Sequence, residues 1–254
     1  MKRLISSMLC LGMLVGCTSS PQASASSFTP ETKEYACRMI NYYDYSQPVP
    51  KTTEPIDNAY FQDTFFGGDS RMGSLYLFTD LRDKGAEVYY AESLSLFRIY
   101  DMKMEGSDKP LYDLLKETTR NNIYILLGVN EIRSPDFESW GEEYDALIQE
   151  LKEKNPKVNI YIMGSYRPRS VSGLNTDQLT EQLDKLNSKM KELALKNHVF
   201  YLDTNSGITD ESGLVKENLV WDDLHLNTEG SQLFADQIAR HVVQEETYVK
   251  KVCE

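Results

Sequence analysis

The chain has 254 residues and a formal net charge of −12, with 27 basic and 39 acidic side chains. An acidic chain without a basic cluster is a poor match for nucleic acid, and we expect no nucleic-acid partner. The length suits one hydrophobic core of good size, and we expect a monomer.

Residues 1–16 have the layout of an export signal: Lys2 and Arg3, then a short apolar stretch and small residues before Cys17. The segment "LVGC" resembles a bacterial lipobox, which implies cleavage before Cys17 and lipidation of its thiol. A plain secretory signal or a short membrane anchor is the alternative. Loss of residues 1–16 would take the net charge from −12 to −14, since Lys2 and Arg3 leave. We therefore expect an extracytoplasmic protein, lipid-anchored to the bacterial cell membrane.

Residues 17–28 are rich in Ser, Thr and Ala and predict a flexible tether. Residues 29–254 are expected to form a single domain with an N-terminal helical extension, which would start at Thr29-Pro30-Glu31. Cys37 and Cys253 remain after the signal and the lipidated cysteine are assigned. An oxidising compartment favours a disulfide between them, from the first helix to the C-terminal tail, and two reduced thiols are the alternative.

Short apolar runs alternate with amphipathic stretches from residue 64 onward. The runs predict strands at 64–68, 86–92, 122–128, 157–165 and 198–203. The amphipathic stretches predict helices near 71–83, 110–119, 138–154, 176–196 and 228–244. This order predicts a three-layer α/β/α sandwich around a five-stranded parallel sheet. In such sheets ligands bind beyond the carboxyl ends of the strands.

Two of these strand ends carry polar groups after glycine. "GGDS" places Ser70 where its hydroxyl and the free amides of a helix start would face a substrate, although it also reads as an ordinary turn and helix cap. "GVNE" places the Asn130 amide at the same edge, where it could donate to an oxyanion, or serve as a turn residue.

A third segment, "VWDDLH", precedes the last predicted helix. Asp222, three residues before His225, could orient its imidazole; an acidic surface loop and a metal pair are the alternatives. No second His or Cys stands at ligand spacing and "DTNSGITDE" departs from a calcium loop, so we expect no metal. Trp221 could line a cleft or pack, and we expect packing.

Together and in this order, the three segments resemble the blocks of the SGNH (GDSL-type) hydrolase family, from Phe65 to about Ala239. The resemblance implies a flavodoxin-like sheet and hydrolysis of ester-linked acyl groups without a cofactor. Ser70 would be the nucleophile, His225 the general base and Asp222 the residue that orients it. The Ser70 N–H and the Asn130 side chain would form the oxyanion hole.

One family feature is missing, because "YYAESLSLFRIY" lacks the glycine whose amide is the third oxyanion donor. The amide of Ser93 or Leu94 is the expected replacement. Glu131 stands where many members have Asp, with a role behind the site or in solvent. The substrate contacts expected at this edge are Arg71, Tyr166 and Arg167, with a solvated Arg71 as the alternative.

The resemblance implies an esterase that often acts on acetyl groups of carbohydrates. The expected membrane anchor and the short loops predicted between the strands add to this, so we expect a serine esterase that removes small acyl groups, acetyl in particular, from an extracellular or cell-wall carbohydrate or another small ester. An O-acyltransferase that uses the same triad on a cell-wall glycan is one alternative. A non-catalytic lipoprotein that binds wall or glycan is the other.

Overall fold

The structure, a computed structural model, describes residues 37–253. They fall into two compact units: Met39–Lys250, and a small unit that contains Cys37, Arg38 and residues 251–253. The predicted signal (1–16), the tether (17–28) and the predicted helix start at 29–31 lie outside the described residues. None of the helices between residues 37 and 253 is long and apolar enough to cross a membrane.

A five-stranded parallel sheet forms the centre of the larger unit, as predicted. Its strands are β2 (Thr64–Gly68), β3 (Glu87–Tyr90), β4 (Asn122–Leu126), β5 (Asn159–Met163) and β6 (Phe200–Leu202), in the order β3-β2-β4-β5-β6. The pairing of β2 with both β3 and β4 is parallel and in continuous register. Four strands are shorter than predicted: β4 ends at Leu126 instead of residue 128, and β3, β5 and β6 are shorter at both ends than the predicted 86–92, 157–165 and 198–203.

Five helices cover the sheet: α1 (Gly73–Phe78), α2 (Leu111–Glu117), α3 (Phe137–Lys154), α4 (Thr176–Asn197) and α5 (Thr228–Arg240). Consecutive residues of a strand point to opposite faces. Phe65 accordingly packs into a core cluster with residues of α2, α3 and α4, whereas Phe66 packs with residues of α1 and α5. Both faces are thus apolar, which gives the predicted α/β/α layers.

Helix α1 begins after a single 3-10 turn, Ser70–Met72, and ends at Phe78, so the helix predicted at 71–83 is five residues too long at its C-terminal end. The Thr79 hydroxyl donates to the Leu75 carbonyl at this end. A Ser or Thr side chain that bonds to the preceding turn competes with the helix ladder.

Two pairs of short strands complete the described structure. β7 (Val220–Asp222) and β8 (His225–Leu226) form an antiparallel hairpin. β1 (Cys37–Asn41) pairs with β9 (Val249–Cys253), and the predicted disulfide between Cys37 and Cys253 is confirmed. Cys37 therefore lies in a strand and not in the helix we expected there, because its segment pairs with the β-branched residues near the C-terminus.

Candidate active site

Ser70 lies in a tight turn at the carboxyl edge of the sheet, which we call the nucleophile turn (Gly68–Met72). A Cβ atom on Gly68 would lie 2.3 Å from the Leu126 carbonyl oxygen, so only glycine lets β2 leave the sheet this close to β4. Asp69 then caps the 3-10 turn by accepting the Arg71 N–H at 3.0 Å. No acceptor among residues 37–253 meets the Ser70 N–H, which leaves it free to bind negative charge.

His225 reaches Ser70 from the β7–β8 hairpin, which we call the histidine hairpin (Val220–Leu226). Ser70 Oγ lies 2.8 Å from His225 Nε2. His225 Nδ1 lies 2.9 Å from Asp222 Oδ2 and 3.0 Å from Oδ1, so the carboxylate fixes the proton on Nδ1. The three side chains predicted to converge do so within hydrogen-bond reach.

Asp222, and not its neighbour Asp223, is the acid that holds the histidine. Asp222 Oδ1 also accepts the backbone N–H of His225 at 2.7 Å. Partial burial opposes its ionisation, but the hydrogen bonds from the His225 side chain and backbone prevail and lower the pKa of Asp222. Asp223 instead accepts the Ser170 hydroxyl at 2.6 Å.

Residues 100–233, more than half of the chain, match the model of the GDSL-like lipase/acylhydrolase family. The chain belongs to this family. The match includes Asn130, Asp222 and His225 and begins after Ser70. The protein is therefore a GDSL-type serine hydrolase.

Solved structures share the fold of this GDSL-like hydrolase. A GDSL-like lipase from Bacteroides thetaiotaomicron is 12% identical, with a TM-score of 0.54 over 69% of this chain and 84% of that chain. A candidate GDSL-like lipase from Parabacteroides merdae is 15% identical, with a TM-score of 0.53 over 75% and 96%. A candidate acylhydrolase from Bacteroides fragilis is 14% identical, with a TM-score of 0.54 over 75% and 88%. No curated protein matches this chain in sequence.

The predicted oxyanion donors of this GDSL-like hydrolase lie on connected loops. Ser93 has φ +56°, in the left-handed region that favours glycine, and its N–H has no acceptor among the described residues. A serine here thus keeps a conformation for which glycine is better suited. The Asn130 amide donates to the Leu94 carbonyl at 2.9 Å and has a second N–H for a substrate.

Glu131 is a buried carboxyl directly behind these donors, 8% exposed. Its Oε1 accepts the Leu96 N–H at 2.7 Å and the Trp140 indole N–H at 3.1 Å, while Oε2 is buried without a hydrogen-bond partner in the described part of the chain. Burial, with the nearby Asp69 carboxylate, raises the pKa of Glu131 to about 7. Asn130 and Glu131 therefore both hold the loop that carries Ser93.

Arg71 does not contact a substrate, and that prediction is wrong. The side chains of Arg71 and Asp69 are fully buried and form a two-point ion pair, with Nη2 at 2.7 Å from Oδ2 and Nε at 3.0 Å from Oδ1. Arg71 Nη1 also donates to Ser165 Oγ at 2.6 Å. The two charges neutralise each other inside the core, and the guanidinium has no exposed surface. Both expectations for Arg71, substrate contact and solvation, therefore fail.

Tyr166 is also buried and unavailable to a substrate, which corrects the second prediction. Its hydroxyl donates to the Leu224 carbonyl at 2.8 Å and so supports the histidine hairpin from below. Arg167 is partly exposed and pairs with Asp184. Its contact with substrate stays a prediction.

Trp221 was expected to pack, but its side chain is 68% exposed. It lines a cavity of about 200 Å³ together with Ser70, His225, Tyr90 and Glu92. The one sequence feature that could have indicated this exposure is the position of Trp221 directly before Asp222. Among residues 37–253, no three His, Cys, Asp or Glu side chains are grouped so that they could hold a metal ion.

Proposed function

We propose that this hydrolase is a serine esterase that removes small acyl groups, acetyl in particular, from an extracellular or cell-wall carbohydrate. The observation that carries the proposal is the series of contacts from Ser70 Oγ to His225 Nε2 and from His225 Nδ1 to Asp222. A serine hydroxyl beside an oriented imidazole is the group that attacks ester carbonyls.

The first half of the reaction forms an acyl-serine. His225 Nε2 accepts the Ser70 proton as Oγ bonds to the ester carbonyl carbon, and Asp222 stabilises the resulting imidazolium. The oxyanion accepts hydrogen bonds from the N–H groups of Ser70 and Ser93 and from the Asn130 amide. His225 then gives the proton to the alcohol oxygen as the bond between that oxygen and the carbonyl carbon breaks.

The second half clears the enzyme. Water enters from the open side of the cavity, gives a proton to His225 and attacks the acyl carbon. The bond to Ser70 Oγ breaks, Oγ takes the proton back from His225, and a carboxylic acid leaves.

We also propose that the protein works outside the cytoplasm, anchored by a lipid on Cys17. The lipobox-like segment "LVGC" supports this location. A disulfide between Cys37 and Cys253 supports it independently, since such bonds persist in oxidising compartments.

The deciding experiment treats the purified protein and its Ser70→Ala variant with a fluorophosphonate probe, with circular dichroism to confirm that both are folded. We expect labelling of the native protein alone. Absence of labelling in a folded sample would contradict the proposal and favour a non-catalytic binding lipoprotein.

A product balance separates hydrolysis from transfer. The native protein is incubated with an acylated sugar and a second, unacylated glycan, and free acid, released alcohol and newly acylated glycan are quantified. Equal amounts of acid and alcohol support the esterase. Newly acylated glycan in place of free acid would identify an O-acyltransferase instead.

A further inference from the structure

The exposed indole of Trp221 lies immediately beside the reacting groups. It precedes Asp222 in the histidine hairpin, and its ring centroid lies 6.2 Å from that of Phe78, tilted by 48°. By contrast, the other tryptophan, Trp140, is completely buried. A large apolar side chain that is braced by one aromatic ring and otherwise open marks a binding surface.

The cavity next to this indole has mainly apolar walls and one carboxylate. Leu77, Phe78 and Tyr90 line it with Trp221, and Glu92 supplies the charged group. Leu77 is itself 57% exposed. Apolar walls with a few polar groups are typical of small-molecule sites.

The proposed chemistry decides which part of the substrate meets Trp221. His225 donates its proton to the oxygen of the departing alcohol, so this alcohol must lie on the His225 side of Ser70. Trp221 is part of the same hairpin and lines the same cavity as His225. The alcohol, rather than the acyl group, therefore contacts the indole.

The charges around the cleft disfavour an anionic alcohol. A second cavity of about 330 Å³ shares Tyr90 and Glu92 with the first and adds Glu105 and Lys103. Lys103 is the only cation that lines either cavity within residues 37–253, and it lies 3.5 Å from Asp108. Arg71, the cation next to Ser70, is buried and neutralised by Asp69.

We infer that Trp221, braced by Phe78, binds the ring of a neutral sugar as the departing alcohol, and that Glu92 accepts hydrogen bonds from its hydroxyls and repels anionic sugars. The C–H face of a pyranose suits a flat indole, while its hydroxyls need acceptors. This inference rests on the proposed esterase function, because it names the alcohol which that reaction releases.

The test compares three acetate esters. Vinyl acetate has no ring; mono-O-acetylated methyl glucopyranoside and mono-O-acetylated methyl glucuronopyranoside, each a mixture of positional isomers, carry a neutral and an anionic ring. For Trp221→Ala we expect kcat/KM on the glucoside ester to fall about tenfold, mainly through KM, and on vinyl acetate to change less than about twofold. Trp221→Phe should recover most of the loss.

Glu92→Gln tests the charge selection. The native protein should prefer the glucoside over the glucuronoside ester at low ionic strength, and this preference should shrink severalfold in the variant. Leu195→Ala is the matched control, since Leu195 is also an exposed apolar residue, at 50%, but lies in α4 and lines neither cavity. It should leave all three rates unchanged.

Distinct results overturn the inference and the proposed function. Equal losses on vinyl acetate and glucoside in Trp221→Ala, no loss on either, or a native preference for the glucuronoside would overturn the sugar site while the esterase stands. A native protein that neither cleaves vinyl acetate nor reacts with the fluorophosphonate would overturn the esterase, and the sugar site with it.

Discussion

The nucleophile turn and the histidine hairpin hold two parts of one triad in opposite surroundings. In the nucleophile turn, Asp69 and Arg71 are fully buried on either side of Ser70 and the guanidinium reaches Ser165 at the end of β5. In the histidine hairpin the Asp222 side chain is 64% exposed. The position of the attacking oxygen is therefore coupled to the core, whereas the base is oriented by an exposed carboxylate three residues away, in a hairpin that Tyr166 supports through the Leu224 carbonyl.

The carboxyl groups that support these two parts of the site, Glu131 and Asp222, also differ in burial and in the direction of their pKa shifts. Glu131, buried behind the oxyanion loop, has a pKa raised to about 7 chiefly by desolvation. Asp222, open to solvent and hydrogen-bonded to His225, has a lowered pKa. Substitutions in the histidine hairpin should thus lower the rate of ester hydrolysis with little change in the free energy of unfolding. Substitutions of the buried groups should mainly lower the free energy of unfolding.

The largest effect is expected for Asp222→Asn, in the histidine hairpin. The amide cannot fix the proton on His225 Nδ1 or stabilise the imidazolium, so kcat should fall roughly 10³- to 10⁴-fold. The free energy of unfolding should change by less than about 0.5 kcal/mol, because the side chain is exposed and the amide oxygen can still accept the backbone N–H of His225. Ester hydrolysis and urea denaturation measure the two quantities.

Asp223→Asn provides the matched control for this substitution. It removes the same charge one residue away, where the carboxylate contacts Ser170 instead of His225. Its kcat should stay within about twofold of the native value. Similar losses in both variants would show that hairpin charge, and not the Asp222–His225 contact, governs the rate.

Arg71→Met should have the next largest effect, on stability. It leaves the Asp69 carboxylate buried without its partner, which typically costs about 3–5 kcal/mol in the free energy of unfolding. Urea denaturation measures this loss. The double variant Asp69→Asn/Arg71→Met should be more stable than Arg71→Met alone; if it is less stable, the pair is not what stabilises the turn.

The features that sequence predicted well are those set by short-range patterns. The five strands follow from apolar runs, and the Asp222–His225 contact follows from a three-residue spacing that a short hairpin brings together. The contact between Ser70 and His225 could not be predicted from local spacing. Its prediction required the rule that parallel strands present their carboxyl ends at one edge of the sheet.

The features that sequence missed depend on distant neighbours. Arg71 is buried because Ser165, far along the chain, and Asp69 complete its hydrogen bonds, and nothing local distinguishes this from a solvated arginine. For Glu131 the sequence left a place behind the site and a place in solvent open, and contacts with Trp140 and Leu96 decide for the first. Trp221 is exposed because no side chain covers the cavity side of its ring, which only tertiary packing decides.

Glu131→Gln tests the buried part of the site through the pH dependence of the free energy of unfolding. The folded protein binds the Glu131 proton more tightly than the unfolded chain, since its pKa rises from 4.5 to about 7. The stabilisation is thus complete below about pH 4.5 and is lost as pH rises through about 7, which amounts to roughly 3 kcal/mol at most.

The comparison is made by urea denaturation of both proteins at several pH values from about 4.5 to 8. The native protein should lose stability relative to Glu131→Gln as pH rises over this range, because glutamine stays neutral. Parallel curves for the two proteins would show that Glu131 does not titrate in this window.

The smallest effect is expected for Ser93→Gly, in the loop that Asn130 and Glu131 hold against the buried part. Serine at φ +56° carries a strain of about 1–2 kcal/mol, and glycine relieves it while adding about 0.5–1 kcal/mol of chain entropy to the unfolded state. The variant should therefore be about 0.5–1 kcal/mol more stable, with kcat within about twofold because the amide donor remains. Ser95→Gly is the control: with φ −105° that residue is unstrained, so glycine there should destabilise by about 0.5–1 kcal/mol. Equal destabilisation in both variants would mean that the backbone of Ser93 is not strained.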